Sequence, residues 1–396
     1  MVLSAPGASS YGAGITKLPP KAVPADFGEK KHHVLTGGFR NPWDSWSTLS
    51  AFAIMKALLL RRWRGEANIP DTTAHTIAIR KPEFLENRST PKLRATWLGH
   101  ACFYVEFPGG LRVLFDPVLE DYCSPAPVRT SHTKRYTAAP CAVADLPYVD
   151  AVFISHNHYD HLCHPTVMNI KHRFPNCHFF VPLGNKQWFL DSGIANVTEL
   201  DWWEEAEVTL SPSKEKREVD TVGPSDTITA RIGCLPCQHT SSRTAWDRSK
   251  TLWASWSVES GGSKLYFAGD TGYRAVPKLP PEIDDHGPEH QHKYPHCPAF
   301  AQIGSLRGPF DLGLIPIGAY DPRYIMSAMH SDPYDAVSIF LDTKCQRALG
   351  MHWGTFTLTE EDVMEPPRKL RDALGRVGVA EEGVFDVCAI GEGRQF

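Results

Sequence analysis

The chain has 396 residues, 42% of them hydrophobic and 22% charged, with a formal net charge of −4. This is the composition of a globular protein with a large core; it excludes a disordered chain, and with no long basic run it gives nucleic acid no footprint. No apolar run is long enough to span a bilayer, and ten scattered cysteines in so long a chain make a reduced, intracellular setting simpler than a disulfide framework.

Residues 1–38 are rich in Gly, Ala, Pro and Ser and are expected to form a mobile tail. Lys17 and Lys21 precede the first acidic residue, Asp26, and no compact apolar core follows them. A secretory signal is therefore not expected, while a mitochondrial or other organelle destination stays open. Residues 39–92 are read as a helical segment. Ser47 is placed to cap a helix through Leu49, Phe52, Ile54, Met55, Leu58, Leu59 and Leu60, which ends in Arg61, Arg62, Trp63 and Arg64. With Trp43 and Trp46 ahead of it, the order aromatic, aliphatic, basic suits a helix lying at a membrane interface. The same pattern fits a helix packed on the main domain, its basic end favourable to the helix dipole.

The main domain is expected from residue 93 to 396. Ala95 to Leu98, Cys102 to Phe107 and Leu111 to Phe115 read as strands, the last two joined by a Pro108-Gly109-Gly110 turn. Asp116 ends this run, and His100 sits in the turn before it; both are candidates to orient ligand histidines from behind. Glu120 to Pro147 lacks periodicity and reads as a long loop. Ala151 to Ser155 is a short apolar strand, and a helical pattern follows from Leu162 to Phe174. Between them lies His156-Asn157-His158-Tyr159-Asp160-His161. Four metal-type ligands in six residues, on the loop leaving a strand, point to a metal site, because imidazole suits zinc and a carboxylate can complete or bridge it. His156 and His158 can face one cation while Asp160 and His161 turn toward a second.

Further on, short strands recur at His178 to Pro182, Thr227 to Cys234, Thr251 to Val258, Lys264 to Asp270, Phe310 to Gly318, Ala348 to Gly354 and Val384 to Cys388. Helices are expected at Lys186 to Asp191, Pro298 to Leu306, Asp332 to Asp342 and Pro366 to Val377. Ser211 to Ser225 reads as an exposed hairpin tip. Cys234 and Cys237 have zinc-knuckle spacing with no second pair, and are read as packing. His286, His290, His292 and His296 crowd a Pro- and Gly-rich tract read as a mobile surface loop. Three later strand ends carry His239, Asp270 and His352.

Together with the central loop, these positions resemble the metallo-β-lactamase fold, which implies an α/β protein: an αββα sandwich with an N-terminal helical extension and a two-metal site at one edge. A narrower resemblance rests on Asn41-Pro42-Trp43, Leu98-Gly99-His100-Ala101, Gln238-His239, Trp253-Ala254-Ser255-Trp256-Ser257, Phe267-Ala268-Gly269-Asp270-Thr271-Gly272-Tyr273, Ile315-Pro316-Ile317-Gly318-Ala319-Tyr320 and His352-Trp353-Gly354-Thr355-Phe356. These blocks are similar to those of the N-acyl-phosphatidylethanolamine-hydrolysing phospholipase D family, from about Asn41 to the C-terminus. Thr240 stands where that family usually has an aromatic residue.

The resemblance implies two Zn2+ ions. His156, His158 and His239 would hold one, Asp160, His161 and His352 the other, and Asp270 would bridge them. It implies a zinc-dependent phosphodiesterase acting through a metal-bridging hydroxide, with Asp160 or Asp270 as the proton-accepting catalytic group. The substrate would be a phospholipid, N-acyl-phosphatidylethanolamine, and the products N-acylethanolamine and phosphatidic acid. The partner surface would be a membrane met peripherally by Trp43, Trp46, Leu58, Leu59, Leu60, Arg61 and Arg62, with a homodimer left open. The competing reading is a metal-dependent lactonase or amidase acting on small molecules from the same fold.

Overall fold

The computed structural model describes residues 11–19, 21–47, 49–73, 75–212, 227–280, 282–290 and 293–396. The hairpin tip expected at Ser211 to Ser225 lies outside them beyond Pro212, as does His292. The chain runs β1 (Tyr11–Leu18), α1 (Ala51–Arg64), β2 (Arg94–Trp97), β3 (Phe103–Glu106), β4 (Arg112–Phe115) and β5 (Ala151–Phe153). It continues through α2 (His164–Arg173), β6 (His178–Pro182), α3 (Lys186–Asp191), β7 (Val197–Leu200), β8 (Glu205–Pro212) and β9 (Ile228–Leu235). Next come β10 (Ser255–Ser260), β11 (Ser263–Phe267), α4 (Ala299–Leu306), β12 (Leu312–Pro316), α5 (Arg323–Met326) and α6 (Pro333–Asp342). The chain closes with β13 (Ala348–Met351), α7 (Glu365–Arg376), β14 (Phe385–Asp386) and β15 (Gly393–Gln395).

Among the described residues the strands form two mixed sheets, ordered β15-β2-β3-β4-β5-β6-β7 and β1-β8-β9-β10-β11-β12-β13-β14. The runs β4 to β7 and β11 to β14 are parallel. Parallel neighbours need a crossover, and helices supply most of these here. Side chains alternate across each strand and sort the core accordingly. Leu114, Val152 and Phe179 join the layer that holds Val167 and Ile170 of α2 and Phe189 of α3. Phe115, Phe153 and Phe180 join the layer between the sheets. There Phe180, Phe153, Phe115 and Phe267 form a column with ring centroids 5.1, 5.1 and 4.7 Å apart, the last step crossing from one sheet to the other.

The sheets are also tied by polar bonds at one edge. Trp256 of β10 donates its indole N–H to Ile154 O at 3.0 Å. The Ala254 N–H donates to Ser155 O at 2.8 Å. Both acceptors lie just beyond β5, where the histidine loop begins. Buried carbonyls need such partners, so the inter-sheet seam fixes where that loop starts.

Three expectations fail. The stretch read as a tail supplies β1 from residue 11, paired antiparallel along the whole of β8 from Tyr11↔Pro212 to Leu18↔Glu205, so the sheet domain does not begin at residue 93. Composition alone missed this because a Gly-rich edge strand borrows its hydrogen bonds from a neighbour far away in sequence. Helix α1 is capped by Ser50, whose Oγ accepts from Ala53 N at 3.1 Å, not by Ser47, and α1 is the one helix longer than a 3-10 turn among the described residues of 39–92. The histidine tract is docked rather than free at His286, whose Nε2 lies 2.7 Å from Asp332 Oδ2.

The segment before α1 is anchored by Asp201, which pairs with His32 Nε2 at 2.7 Å, His33 Nε2 at 2.9 Å and Lys30 Nζ at 2.5 Å. The ammonium on the same carboxylate marks an ion-paired anchor rather than a cation site. Burial opposes the Asp201 charge, but hydrogen bonds from His32 and Lys30 hold it well below the usual carboxylate range. Burial lowers His32 as well. Both groups therefore bind fewer protons folded than unfolded, so stability falls with pH, first below roughly 6.5 and then below roughly 4. Proteolysis within residues 19–50 should rise between pH 7 and pH 4, and Asp201→Asn should show the same cleavage at pH 7; equal cleavage at both pH values would remove the anchor's role. Separately, Trp256→Phe should cost about 1–3 kcal/mol in urea unfolding by leaving Ile154 O buried and unpaired.

Candidate metal centre

Each ligand-type residue leaves the carboxyl end of a strand on the same edge of the sandwich, where α/β folds place their ligands. His156 to His161 follow β5, His239 follows β9, Asp270 follows β11 and His352 follows β13. After His158 the chain turns tightly, with the His161 and Leu162 N–H groups both donating to His158 O at 3.1 and 2.8 Å. That turn separates His156 and His158 from Asp160 and His161. Gly269 has φ +61°, and a Cβ there would stand 2.7 Å from Ser155 Cβ and 3.0 Å from Ala254 O. Only glycine lets β11 approach β5 this closely and aim Asp270 inward. His100, Asp116 and His352 also have positive φ, at 52°, 37° and 63°. Such backbone is costly for residues with a Cβ and gathers where function demands it.

The ring orientations follow from fixed acceptors. Asp116 Oδ1 accepts the Ser155 N–H at 2.7 Å, and its Oδ2 accepts Ser155 Oγ–H at 2.5 Å and His161 Nδ1–H at 2.7 Å. Ser155 Oγ, its proton spent on Asp116, accepts from His156 Nδ1 at 2.8 Å. Met329 O accepts from His239 Nδ1 at 2.9 Å. In all three rings the proton is held at Nδ1, and the Nε2 lone pair faces the centre. His158 presents Nδ1 instead, 2.8 Å from His156 Nε2 and 3.2 Å from His239 Nε2. On the other side, His161 Nε2 and His352 Nε2 lie 3.3 Å apart. Asp160 Oδ2 is 3.3 Å from the first and 3.6 Å from the second, and 2.9 Å from His100 Nε2. Asp270 Oδ2 stands between the groups, 3.0 Å from His352, 3.1 Å from His161, 3.8 Å from His239 and 4.0 Å from His156.

This donor set fits metal ions. Two ligands on a tetrahedral zinc at 2.0–2.1 Å are separated by roughly 3.3 Å, close to the spacings observed, and facing lone pairs at that distance repel unless a cation lies between them. Asp270 Oδ1 is buried without a hydrogen-bond partner among the described residues. The electrostatics agree. Burial lowers His156 and His239 well below the ordinary imidazole value, which keeps them neutral and ligand-ready. Burial opposes the charge on Asp270, yet His161 and His352 hold it well below the carboxylate range. His352, lowered by burial, is nonetheless pushed up to about 9 by Asp270 and Asp160, so this half of the site calls for positive charge.

The structure thus brings His156, His158, Asp160, His161, His239, Asp270 and His352 together, with Asp116 behind two of the rings and His100 beside Asp160. Other expected positions fall elsewhere. Trp43 is not on an outer face: its ring stacks on Trp202 at 5.3 Å. Arg61 is not free for headgroups, because its Nη2 and Nε bind Glu360 at 2.6 and 3.2 Å. Trp46 is half-buried, whereas Leu58, Leu59, Leu60 and Arg62 are exposed. Sequence reading missed His330, whose ring centroid lies 5.0 Å from that of His239 and whose Nδ1 is 3.9 Å from Asp270 Oδ2. The one local signal was its place just before Asp332, the N-cap of α6.

Asp116→Asn keeps the shape of the side chain but puts an amide where two protons must be accepted. It should weaken retention of a bound metal ion about 10- to 100-fold with the fold intact, read by chelator competition; unchanged retention would show that Asp116 does not orient the rings.

The family model described as Beta-lactamase superfamily domain matches residues 111–353. The chain is 34% identical over 370 residues to the Caenorhabditis elegans protein named N-acyl-phosphatidylethanolamine-hydrolyzing phospholipase D 1, covering 89% of this chain and 91% of that one. It is 31% identical over 277 residues to the Saccharomyces cerevisiae protein named N-acyl-phosphatidylethanolamine-hydrolyzing phospholipase D, mitochondrial, covering 69% of this chain and 50% of the yeast sequence. Among solved structures, the isothiocyanate hydrolase from Delia radicum gut bacteria is similar in fold, with a TM-score of 0.50 at 16% identity over 76% of this chain and 98% of that one. The chain is a metal-dependent hydrolase and belongs to the N-acyl-phosphatidylethanolamine-hydrolysing phospholipase D family of the metallo-β-lactamase superfamily.

Proposed function

We propose that the chain is a two-zinc phosphodiesterase of phospholipase D type that cleaves N-acyl-phosphatidylethanolamine into N-acylethanolamine and phosphatidic acid at a membrane surface. The observation that carries this reading is a groove of about 490 Å³ that runs from α1 to the metal centre. Ile54, Met55, Leu58 and Leu59 line its outer part, and His158, His239 and His330 its inner part. An apolar approach ending at metal-type ligands suits a substrate with hydrocarbon at one end and a charged reacting centre at the other. A small polar substrate would have no use for it.

Helix α1 adds a surface. Its half-buried residues Ala53, Ile54, Ala57 and Arg61 recur at helical spacing, and the opposite face carries Phe52, Met55, Leu59 and Trp63. Phe52 is 69% and Trp63 83% exposed, which for large apolar groups in a row calls for a partner. Arg62 and Arg64 flank them and suit anionic headgroups. No helix among the described residues is long and apolar enough to cross a membrane, so contact through α1 would be peripheral.

In this reading His156, His158 and His239 would hold one zinc, Asp160, His161 and His352 would hold the other, and Asp270 would serve both. The bound pair supplies Lewis acidity toward phosphoryl oxygens and lowers the pKa of water to about 7. The chain's own groups do the rest. The open groove gives the acyl chains an apolar surface to lie against. Asp160 and Asp270 are the two carboxylates placed among these groups, and either would be the acceptor for the attacking water's proton.

Purified protein incubated with bilayers containing N-acyl-phosphatidylethanolamine should release N-acylethanolamine and phosphatidic acid, and a zinc chelator should stop it. Turnover of a lactone with the phospholipid untouched would instead favour the small-molecule hydrolase. Replacing Phe52 and Trp63 together by serine should weaken vesicle binding about 100-fold or more, since each large apolar side chain is worth about 1.5–3 kcal/mol when buried. Hydrolysis of a soluble short-chain phosphodiester should be unaffected; equal loss on both substrates would place α1 in the core instead.

A further inference from the structure

We propose that Arg243 is a positioning residue that sets the shape of the Asn157-to-Leu162 segment and thereby the affinity of the site for its cations. The proposal rests on the two-cation reading of that site. His158, Asp160 and His161 lie on a short irregular loop that no strand or helix holds. Arg243, four residues after His239, reaches across to it. Its Nη1 donates to Asn157 O at 3.0 Å and to Leu162 O at 2.8 Å, the carbonyls bracketing the three ligand positions. The guanidinium carbon stands 3.9 Å from the centroid of the Tyr159 ring, in the middle of the same loop, and 5.5 Å from that of Trp188. One side chain thus grips the loop at both ends and at its centre.

Arg243 is itself fixed. Its N–H donates to Asp247 Oδ1 and Oδ2 at 3.0 and 3.2 Å, and Thr244 N donates to the same carboxylate at 2.8 Å. The loop that carries His239 and the loop that carries His158, Asp160 and His161 are therefore braced as one unit. The guanidinium's contacts are two backbone carbonyls and aromatic faces, so it supplies geometry rather than a charge pair. A lysine offers a point charge without the planar head that can stack on Tyr159 while bonding both carbonyls. Nothing in the local sequence pattern singles out Arg243; only the approach of two distant loops gives it this position.

The test is zinc affinity of the full chain, measured by competition with a chromogenic chelator, so it does not depend on turnover. Arg243→Lys and Arg243→Ala should each bind zinc about 10- to 100-fold more weakly, the range for groups that orient metal ligands from behind. Far-UV circular dichroism should stay that of the wild type. Methylguanidinium at millimolar concentration should restore part of the affinity of Arg243→Ala, and urea at the same concentration should not. Wild-type zinc affinity in either variant, or equal effects of methylguanidinium and urea, would overturn the proposal. If Arg243→Ala does not fold, Asp247→Ala, which frees the arginine's backbone, takes its place; weakened zinc retention supports the role and full retention overturns it. A wild-type chain that binds no zinc would overturn the two-cation reading, and the proposal with it.

Discussion

Asp270 Oδ2 lies within 4.0 Å of nitrogens from five different imidazoles, in a place almost closed to water. A carboxylate in that position is expensive unless positive charge meets it. Much of the fold can be understood as the means of keeping it there. Gly269 brings its strand against β5, and the inter-sheet bonds from Trp256 and Ala254 hold the end of β5 still. Asp116 turns His161 directly, and His156 through Ser155. The positive φ angles at His100, Asp116 and His352 are the local cost of this convergence, and the packed aromatic column beneath offsets it.

The N-terminal part of the chain is joined to this centre by specific contacts. Asn41 donates to His239 O at 2.7 Å, and Ser45 Oγ donates to Gln238 Oε1 at 2.5 Å, so the segment before α1 braces the strand end that carries His239. Arg61 binds Glu360, on the segment that leaves His352. The segment leading into α1 and the last turn of the helix are thus each tied to the domain. An amphipathic helix held this way presents one face to the domain and the other outward, and the two readings of its sequence pattern describe its two faces. Arg61 belongs to the first and Arg62 to the second, a division that composition could not make.

Fold class and most of the strands were legible because the sandwich is built from period-two alternation and short apolar parallel strands, both visible in one dimension. The histidine loop was legible because four ligand-type side chains fall within six residues. His239, Asp270 and His352 stood out as polar residues at the ends of apolar strands, and family resemblance, more than periodicity, tied them to the loop. The N-terminal strand was hidden because β1 has a weak pattern of its own and acquires its hydrogen bonds from β8, nearly 200 residues away. His330 and Arg243 were hidden for a related reason: each lies in irregular backbone and gains meaning only from what a distant loop places beside it.

The sequence by itself determined the layered α/β architecture, the ligand chemistry and the presence of an apolar-basic helix, because these depend on residue type and local spacing. The tertiary structure alone decided which nitrogen of each ring faces the centre, which face of α1 is outward, and that Trp43 and Arg61 turn inward. Those outcomes depend on acceptors and partners brought together by the sheet edges, and no local pattern encodes the distance between two strand ends.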